Sequence, residues 1–203
     1  KIMSKYECLV PHIKERLTLH HNIYESQCKA EYWEEHCASA LRSEGMGSDW
    51  QPDFNHLVGI DMVSNDGVGI SNKGGKLNKA HSTMTISGSR LTKHKTLDDK
   101  LEFLSHKVED MVFCLATDAI EWVAGERNYY FIVVDATTLD YHNQEWEETF
   151  KKKEPTKSTG YKCVAENYNA AIKKAMSDQL WTTISSELFV EMHKIVIDRL
   201  IVV

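Results

Sequence analysis

The stretch that decides the fold runs from residue 57 to residue 73 and reads LVGIDMVSNDGVGISNK. Two short apolar runs flank an Asn-Asp-Gly segment at 65–67, which is a strong β-hairpin signal. A three-residue loop would place Asp61 opposite Ser71 and would put Lys73 on the same face of the hairpin. A two-residue loop would shift the pairing by one residue and turn Lys73 away from Asp61. The chemistry of this hairpin therefore depends on its register.

Hydrophobic periodicity predicts further elements on both sides of the hairpin. Helical spacing marks residues 7–19 and 28–42, and Thr96 is the expected cap of a helix that continues to about Val108. A short helix is predicted at 167–176, and strands are predicted at 83–87, 111–116, 129–135, 161–165 and 195–203. This pattern predicts an α/β domain with a mixed β-sheet flanked by helices on both faces.

Composition points to a single globular domain, because 42% of the 203 residues are hydrophobic and 27% are charged. No apolar run approaches the ~20 residues needed to cross a bilayer, and the first residues lack the order of a secretion signal, so we expect no membrane association and a cytoplasmic location. Five cysteines without a CxxC pair argue against a disulfide framework and a zinc ribbon.

Histidine is frequent in the chain, which has ten such residues. His20, His21 and His36 occur in the N-terminal helical region and invite a metal hypothesis. Adjacent histidines point about 100° apart on a helix, and neither HExxH nor paired Cys/His spacing occurs. The sequence therefore predicts no zinc site in this region.

Charge is distributed unevenly along the chain. The formal net charge is −6, yet the segment from Ser71 to Leu97 holds six basic residues and no acidic residue. Two basic patches on an acidic protein predict a polyanion-binding site on one face. The second patch is expected to be a phosphate-contacting or mobile loop, opposed locally only by Glu154, and it consists of Lys151, Lys152, Lys153, Lys157 and Lys162.

One acidic residue of the second predicted helix is expected to face inward. This helix has a single apolar face that includes Trp33 and Cys37. At 100° per residue, Glu34 lies beside that face, whereas Glu31 and Glu35 point further from it. Glu34 is therefore the acid best placed to contribute to a site.

The runs PDFNHLVGID (52–61) and GISNKGG (69–75) resemble the core of the PD-(D/E)XK nuclease superfamily, and particularly of type II restriction endonucleases. The resemblance covers about residues 30 to 105. It implies a restriction-endonuclease-like fold and one nuclease domain over 1–203, with a helical region (1–50), a catalytic hairpin core (51–110) and the remaining strands and helix (111–203).

In that family, an Asp and a second acid two residues before a Lys bind Mg²⁺, and the Lys orients the attacking water. Asp61 and Lys73 match this pattern by position, but Ser71 occupies the place of the second acid. Some members bring a carboxylate from another element, and Glu34 is our candidate for this metal ligand. Glu35 and Asp53 are next in line; Asp53 follows Pro52 as the motif's letters require, but it stands eight residues before Asp61.

The resemblance implies a Mg²⁺-dependent, sequence-specific endonuclease that cuts double-stranded DNA, and such enzymes are usually homodimers on a palindromic site. The basic segment supplies donors suited to phosphates and base edges, with Arg90 the best candidate for reading guanine. The expected DNA-binding residues are His56, Lys76, Lys79, Ser87, Ser89, Arg90, Thr92, Lys93 and His94.

Other interpretations of these residues stay open. Without the resemblance, Asp61 and Lys73 are most often a solvated ion pair, and the basic segment is as often a solvated loop. Within the superfamily, a repair or recombination nuclease that recognises DNA structure is the first rival. A DNA-binding module that has lost catalysis is the second, because Ser71 replaces an acid.

Overall fold

The computed structural model describes residues 4–47, 59–118 and 126–198, apart from the side chains of Glu126 and Asp198. The α-helices in these ranges are α1 (Val10–Ile23), α2 (Ala30–Ser43) and α3 (Leu97–Ser105). The strands are β1 (Met62–Val63), β2 (Gly69–Leu77), β3 (Thr83–Arg90), β4 (Met111–Thr117), β5 (Glu126–Asp135), β6 (Trp146–Lys151), β7 (Glu154–Val164), β8 (Tyr168–Lys173), β9 (Gln179–Ser185) and β10 (Phe189–Asp198).

The described strands form one mixed sheet in the order β10-β5-β4-β2-β3-β9-β8-β7-β6, and β1 pairs with β2 outside this path. Neighbouring strands are antiparallel, except that β2 and β4 run parallel. The parallel pair is joined by β3 and α3, since a parallel connection needs a crossover. The predicted α/β class with a mixed sheet and helices is thus confirmed.

Side chains of the central strands alternate between the two faces of the sheet and pack in two separate hydrophobic cores. Phe113 on β4 and Phe131 on β5 pack in a cluster with Trp33 of α2 and Leu17 of α1. Their neighbours, such as Cys114, point to the opposite face and join a second cluster. The inner stripe of α3 packs in a third cluster with residues of β7, β8 and β9, and this cluster shares partly buried neighbours with the second. Helices therefore cover both faces of the sheet.

The sequence allows a two-residue or a three-residue loop, and the hairpin adopts the three-residue loop. Met62 pairs with Ile70 and Val63 pairs with Gly69, which leaves residues 65–67 as the loop. Gly67 has a φ of 83°, as the last residue of such a loop requires. The register that brings Asp61 beside Ser71 is therefore confirmed, although β1 is shorter than the predicted strand over 57–63, of which residues 57 and 58 lie outside the described ranges.

The cap of α3 is also as predicted. The Thr96 hydroxyl accepts a hydrogen bond from the Asp99 N–H at 3.1 Å, and Asp99 Oδ2 accepts from the Thr96 N–H at 3.2 Å. This reciprocal capping box satisfies two donors of the first helical turn. The helix ends at Ser105 rather than near Val108, because the following residues lead into β4.

The prediction of a short helix over 167–176 is wrong. Residues Tyr168–Lys173 form β8, followed by a single 3₁₀ turn over Lys174–Met176. Tyr168, Ala170 and Ile172 are buried and alternate with more exposed residues, which is the period of a half-buried strand. Over so short a segment, the spacing of the apolar residues does not distinguish a helix from a strand. The pairing of this segment with β7 and β9 decides that it is a strand.

The second basic patch is a β-hairpin rather than a loop. β6 and β7 carry it, and sequence analysis missed β6 entirely, as it missed β9. Acidic side chains across the hairpin balance its charge: Lys162 lies 3.4 Å from Glu147, and Lys151 and Lys157 lie 3.6 Å and 3.7 Å from Glu154. These pairs weaken the case for this patch as a polyanion site.

In the part of the chain that the structure describes, the helices are too short or too polar to span a membrane. The longest of them, α1 and α2, have 14 residues each. A membrane-spanning helix needs about 20 predominantly apolar residues.

Replacing Gly67 by alanine tests whether this glycine holds the hairpin loop. A Cβ atom at Gly67 or at Gly74 would meet no other atom within 4 Å, but only Gly67 has a positive φ. An L-residue in this backbone conformation costs roughly 1–2 kcal/mol. We expect Gly67→Ala to lower the free energy of unfolding by about 1 kcal/mol in urea denaturation, and Gly74→Ala to leave it unchanged or raise it slightly. Equal stabilities of the two variants would contradict this assignment.

Candidate active site

The site is built around a gap in the sheet, which we call the sheet fork, residues 72–74 of β2. Among the described residues, β1 pairs with β2 only as far as Ile70 and β3 pairs with β2 only from Gly75 onward. β3 then stays with β9 and leaves β2, with a bulge between Ser87 and Arg90. The edge of β2 at the fork therefore has no strand partner among the described residues.

The Asp61 carboxylate occupies this gap. Its Oδ2 accepts a hydrogen bond of 2.6 Å from the backbone N–H of Asn72, and the Ser71 hydroxyl lies 3.4 Å from the same oxygen. The Asp61 N–H donates to the carbonyl of Ile70 at 2.9 Å, which ties the residue to β2 on its backbone side as well. Both side-chain contacts reach Oδ2, so among the described residues Oδ1 is the oxygen left available to a ligand.

Glu34 approaches the same site from α2. It is partly buried, whereas Glu31 and Glu35 are exposed, as the helical spacing predicted. Burial raises the pKa of the Glu34 carboxyl, the charge of Asp61 raises it further, and the charge of Lys73 lowers it. The charges of Asp61 and Lys73 therefore both act on the Glu34 carboxyl. The helix α2 that carries Glu34 packs on the face of the sheet that includes Phe113. Among the described residues, Glu34 has no ion-pair or hydrogen-bond partner.

Lys73 and Ser71 line a cleft on the other face of the sheet. Its volume is about 220 Å³, and its walls come from β2, β3, β4, β9, the end of α3 and the segment after β5. Since one water molecule takes about 30 Å³ in the liquid, the space suits a phosphate group with its waters rather than a whole duplex. Ser87, predicted to contact DNA, lines the cleft as well.

Two further charged residues of the cleft were missed by sequence analysis, Lys107 and Glu109. They form an ion pair with Lys107 Nζ 3.7 Å from Glu109 Oε1, and both side chains are largely buried. Burial lowers the pKa of Lys107, Glu109 and Asp61 raise it, and Lys73 lowers it. The cleft therefore holds two neighbouring ammonium groups close to Asp61.

Glu109 is fitted closely against the chain before Asp61. A Cβ atom at Gly59 would lie 2.3 Å from Glu109 Oε2, so any larger residue there would have to displace this carboxylate. Among the described residues, this buried oxygen has no hydrogen-bond partner. The sequence offered one signal for it, because Glu109 stands two residues before the strand that lies parallel to β2, but that pairing was not predictable.

The predicted DNA-binding residues lie on both sides of the fork. Lys76 stands three residues beyond Lys73 on β2, roughly 10 Å along the strand, and Arg90 ends β3 on the other side. His94 has a structural role, because its ring stacks on Phe103 at 4.5 Å and its carbonyl accepts from buried Lys100. The exposed members of the set are Lys76, Lys79, Arg90, Thr92 and Lys93, and the partly buried ones are Ser87, Ser89 and His94.

Two predicted residues, Asp53 and His56, lie outside the described ranges. Glu35, which the sequence ranks behind Glu34 as the second carboxylate, is exposed on the helix surface. The structure therefore brings Ser71, Lys73, Lys107 and Glu109 together in one cleft and places Asp61 in contact with Ser71. Glu34 lies on the helix that packs on the opposite face, where the charges of Asp61 and Lys73 still act on its carboxyl.

Comparison with protein-family models gives no match for this chain, and searches of curated proteins and of solved structures also give none.

The pKa of Glu34 leads to a prediction about stability. A raised pKa means that the folded state binds the proton more tightly than the unfolded state, so this contribution to stability is present below the unfolded pKa and is lost as the pH rises through the folded pKa. Glutamine does not ionise, so Glu34→Gln removes the loss of stability that ionisation of the Glu34 carboxyl causes. We expect this variant to be more stable than the native protein at pH 7, and the difference to shrink below about pH 4.

Urea denaturation at both pH values, without divalent ions, measures the effect. Glu35→Gln is the matched control, because this neighbour on the same helix is exposed and should change stability little at either pH. A Glu34→Gln variant that is no more stable than the native protein at pH 7 would show that the surroundings of the Glu34 carboxyl do not disfavour its charge.

Proposed function

We propose that this protein is a Mg²⁺-dependent nuclease that hydrolyses phosphodiester bonds of double-stranded DNA at specific sequences, in the manner of the type II restriction endonucleases that its hairpin resembles. The observation that carries the proposal is the position of the Asp61 carboxylate, which the Asn72 N–H holds at the sheet fork at 2.6 Å and which contacts Ser71, a residue of the cleft that Lys73 and Lys107 also line. The charges of Asp61 and Lys73 both act on the Glu34 carboxyl, which is consistent with a second carboxylate near this site.

The donors fit Mg²⁺. Glu34 and Asp61 offer hard carboxylate oxygens, and Mg²⁺ is typically held by one or two carboxylates together with waters and phosphate oxygens. The Glu34 carboxylate and Oδ1 of Asp61 are the groups that would hold the ion. When bound there, Mg²⁺ would supply an activated water and neutralise charge on the phosphate.

The lysines perform the remaining chemistry. Lys73 lines the cleft beside Asp61, so its ammonium group would orient the attacking water and stabilise the negative charge that grows on the phosphoryl oxygens. Lys107 adds a second positive charge in the same cleft, and its ion pair with Glu109 holds it there. Ser71, which replaces the family's second acid, donates toward Asp61 instead of binding the ion.

The surroundings of the cleft support a nucleic-acid substrate. The exposed cations Arg90 and Lys93, at and just beyond the end of β3, would contact phosphates of a duplex lying across the cleft mouth, whereas Lys76 points to the opposite face of β2 from Lys73. We further propose that two copies act together, since a two-fold palindromic site needs one catalytic centre for each strand.

Lys73→Ala separates chemistry from binding. The change removes one electrostatic donor but leaves most phosphate contacts in place, so cleavage of plasmid DNA with Mg²⁺ should fall by at least ~10²-fold while DNA binding persists. Lys14→Ala, which removes an exposed lysine on α1, is the control and should cut as the native protein does. Discrete fragments from one plasmid are expected of a sequence-specific enzyme.

Different outcomes would redirect the proposal. Cleavage by Lys73→Ala at the native rate would exclude the catalytic role of this residue. Cleavage only at branches or ends would favour a nuclease that recognises DNA structure. Specific binding without any Mg²⁺-dependent cutting would favour a DNA-binding module that has lost catalysis. The presence of Ser71 in place of an acid supports that interpretation.

DNA affinity should depend steeply on salt although the protein is acidic overall. Each phosphate neutralised by a lysine or arginine releases a counterion, so four such contacts predict a slope of roughly −4 for log affinity against log salt. Fluorescence anisotropy with a labelled duplex in Ca²⁺ measures this slope. A slope near zero would mean that Lys76, Lys79, Arg90, Lys93 and Lys95 face solvent without contacting DNA.

A further inference from the structure

A second group of potential metal ligands lies in the N-terminal helices, where sequence analysis predicted none. His20 of α1, Cys28 of the α1–α2 connection and His36 of α2 each place a ligand atom within 4.8 Å of the other two. The residues are spaced eight apart along the chain, which matches no recognised zinc motif. We propose that these three side chains bind a Zn²⁺ ion that fastens α1 to α2.

The donor types select this class of metal. Two imidazole nitrogens and one thiolate sulfur suit a borderline-soft ion such as Zn²⁺, whereas Mg²⁺ prefers carboxylate oxygens. Around tetrahedral zinc, with bonds of about 2.0–2.3 Å, neighbouring ligand atoms lie about 3.3–3.6 Å apart. Side-chain shifts of about 1 Å would bring the three atoms of this cluster to that spacing. The fourth position would be filled by water.

His36 carries an independent sign of a missing partner. Its Nε2 atom is buried, and among the described residues it has no hydrogen-bond partner. A buried nitrogen without a partner costs about 1–3 kcal/mol, and a coordinated ion would remove this cost. The ring of His36 lies 5.5 Å from that of His20, edge to face, and the two rings form no hydrogen bond with each other.

The three ligand side chains lie where solvent is largely excluded, since His20 is buried and Cys28 and His36 are partly buried. Burial raises the pKa of the Cys28 thiol to about 12. Zinc binding would displace this proton, and the thiolate would then be balanced by the ion.

A residue of the sheet, Tyr129 of β5, holds the backbone of Cys28 in place. Its N–H donates to the hydroxyl oxygen of Tyr129 at 2.9 Å, and His21 Nε2 lies 2.7 Å from the same oxygen. His21 is engaged on its other side too, with Nδ1 2.6 Å from Arg127 Nη1. This network positions Cys28 and explains why His20, rather than His21, is the ligand on α1.

Cobalt provides the direct test, because a cobalt–thiolate bond gives a charge-transfer band in the near ultraviolet. The full chain, treated with chelator and reductant, is titrated with Co²⁺ and then with Zn²⁺. We expect a charge-transfer band with visible bands of tetrahedral intensity that saturates at one thiolate-bound Co²⁺ per chain, and loss of these bands as Zn²⁺ displaces cobalt. Cys28→Ser should abolish the charge-transfer band.

Cys8→Ser is the matched control, because Cys8 is another partly buried cysteine of the N-terminal region that lies outside the cluster. It should keep the band. His36→Gln should weaken Zn²⁺ binding at least tenfold, and it provides a second test if Cys28→Ser does not fold by circular dichroism. Absence of the band from the native protein, or its persistence in Cys28→Ser, would overturn the proposal. Neither result depends on DNA cleavage.

Discussion

The hydrogen bond from the Asn72 N–H to Asp61 Oδ2, 2.6 Å long, is the contact on which the site depends. At the sheet fork, β2 loses its described strand partner on one edge, and a buried N–H without an acceptor costs about 1–3 kcal/mol. The carboxylate satisfies this donor in place of a strand. The same bond fixes Oδ2 of Asp61 against the backbone and leaves Oδ1 available among the described residues. The contact that satisfies the open edge of β2 therefore also orients a potential metal ligand.

Placement at an open edge lets Asp61 interact with groups on both faces of the sheet. Glu34 reaches it from α2, whereas Lys73 and Lys107 lie on the side of the cleft. This geometry also gives a physical reason for Ser71, which is only 2% exposed and lies against the Asp61 carboxylate. A second carboxylate in so buried a place would be repelled by the first, whereas a hydroxyl group donates to it. An acid from the helix avoids that contact.

Local signals predicted much of this arrangement, and long-range pairing accounts for the rest. The Asn-Asp-Gly loop set the hairpin register, and helical spacing alone singled out Glu34 over Glu35. Lys107 and Glu109 were missed because they join the cleft only through the parallel pairing of β2 with β4. The prediction of a helix at β8 failed because its neighbours in the sheet decide its conformation. The His20, Cys28 and His36 cluster likewise arises from helix packing, which chain spacing does not reveal.

The central claim is that Glu34 and Asp61 hold one divalent ion at the sheet fork. Crystals soaked in Mn²⁺, which replaces Mg²⁺ and scatters anomalously, test it most directly. We predict an anomalous difference peak about 2.2 Å from an oxygen of each carboxylate, with Lys73 Nζ nearby but not coordinating. A clear map without a peak between these two carboxylates would contradict the account.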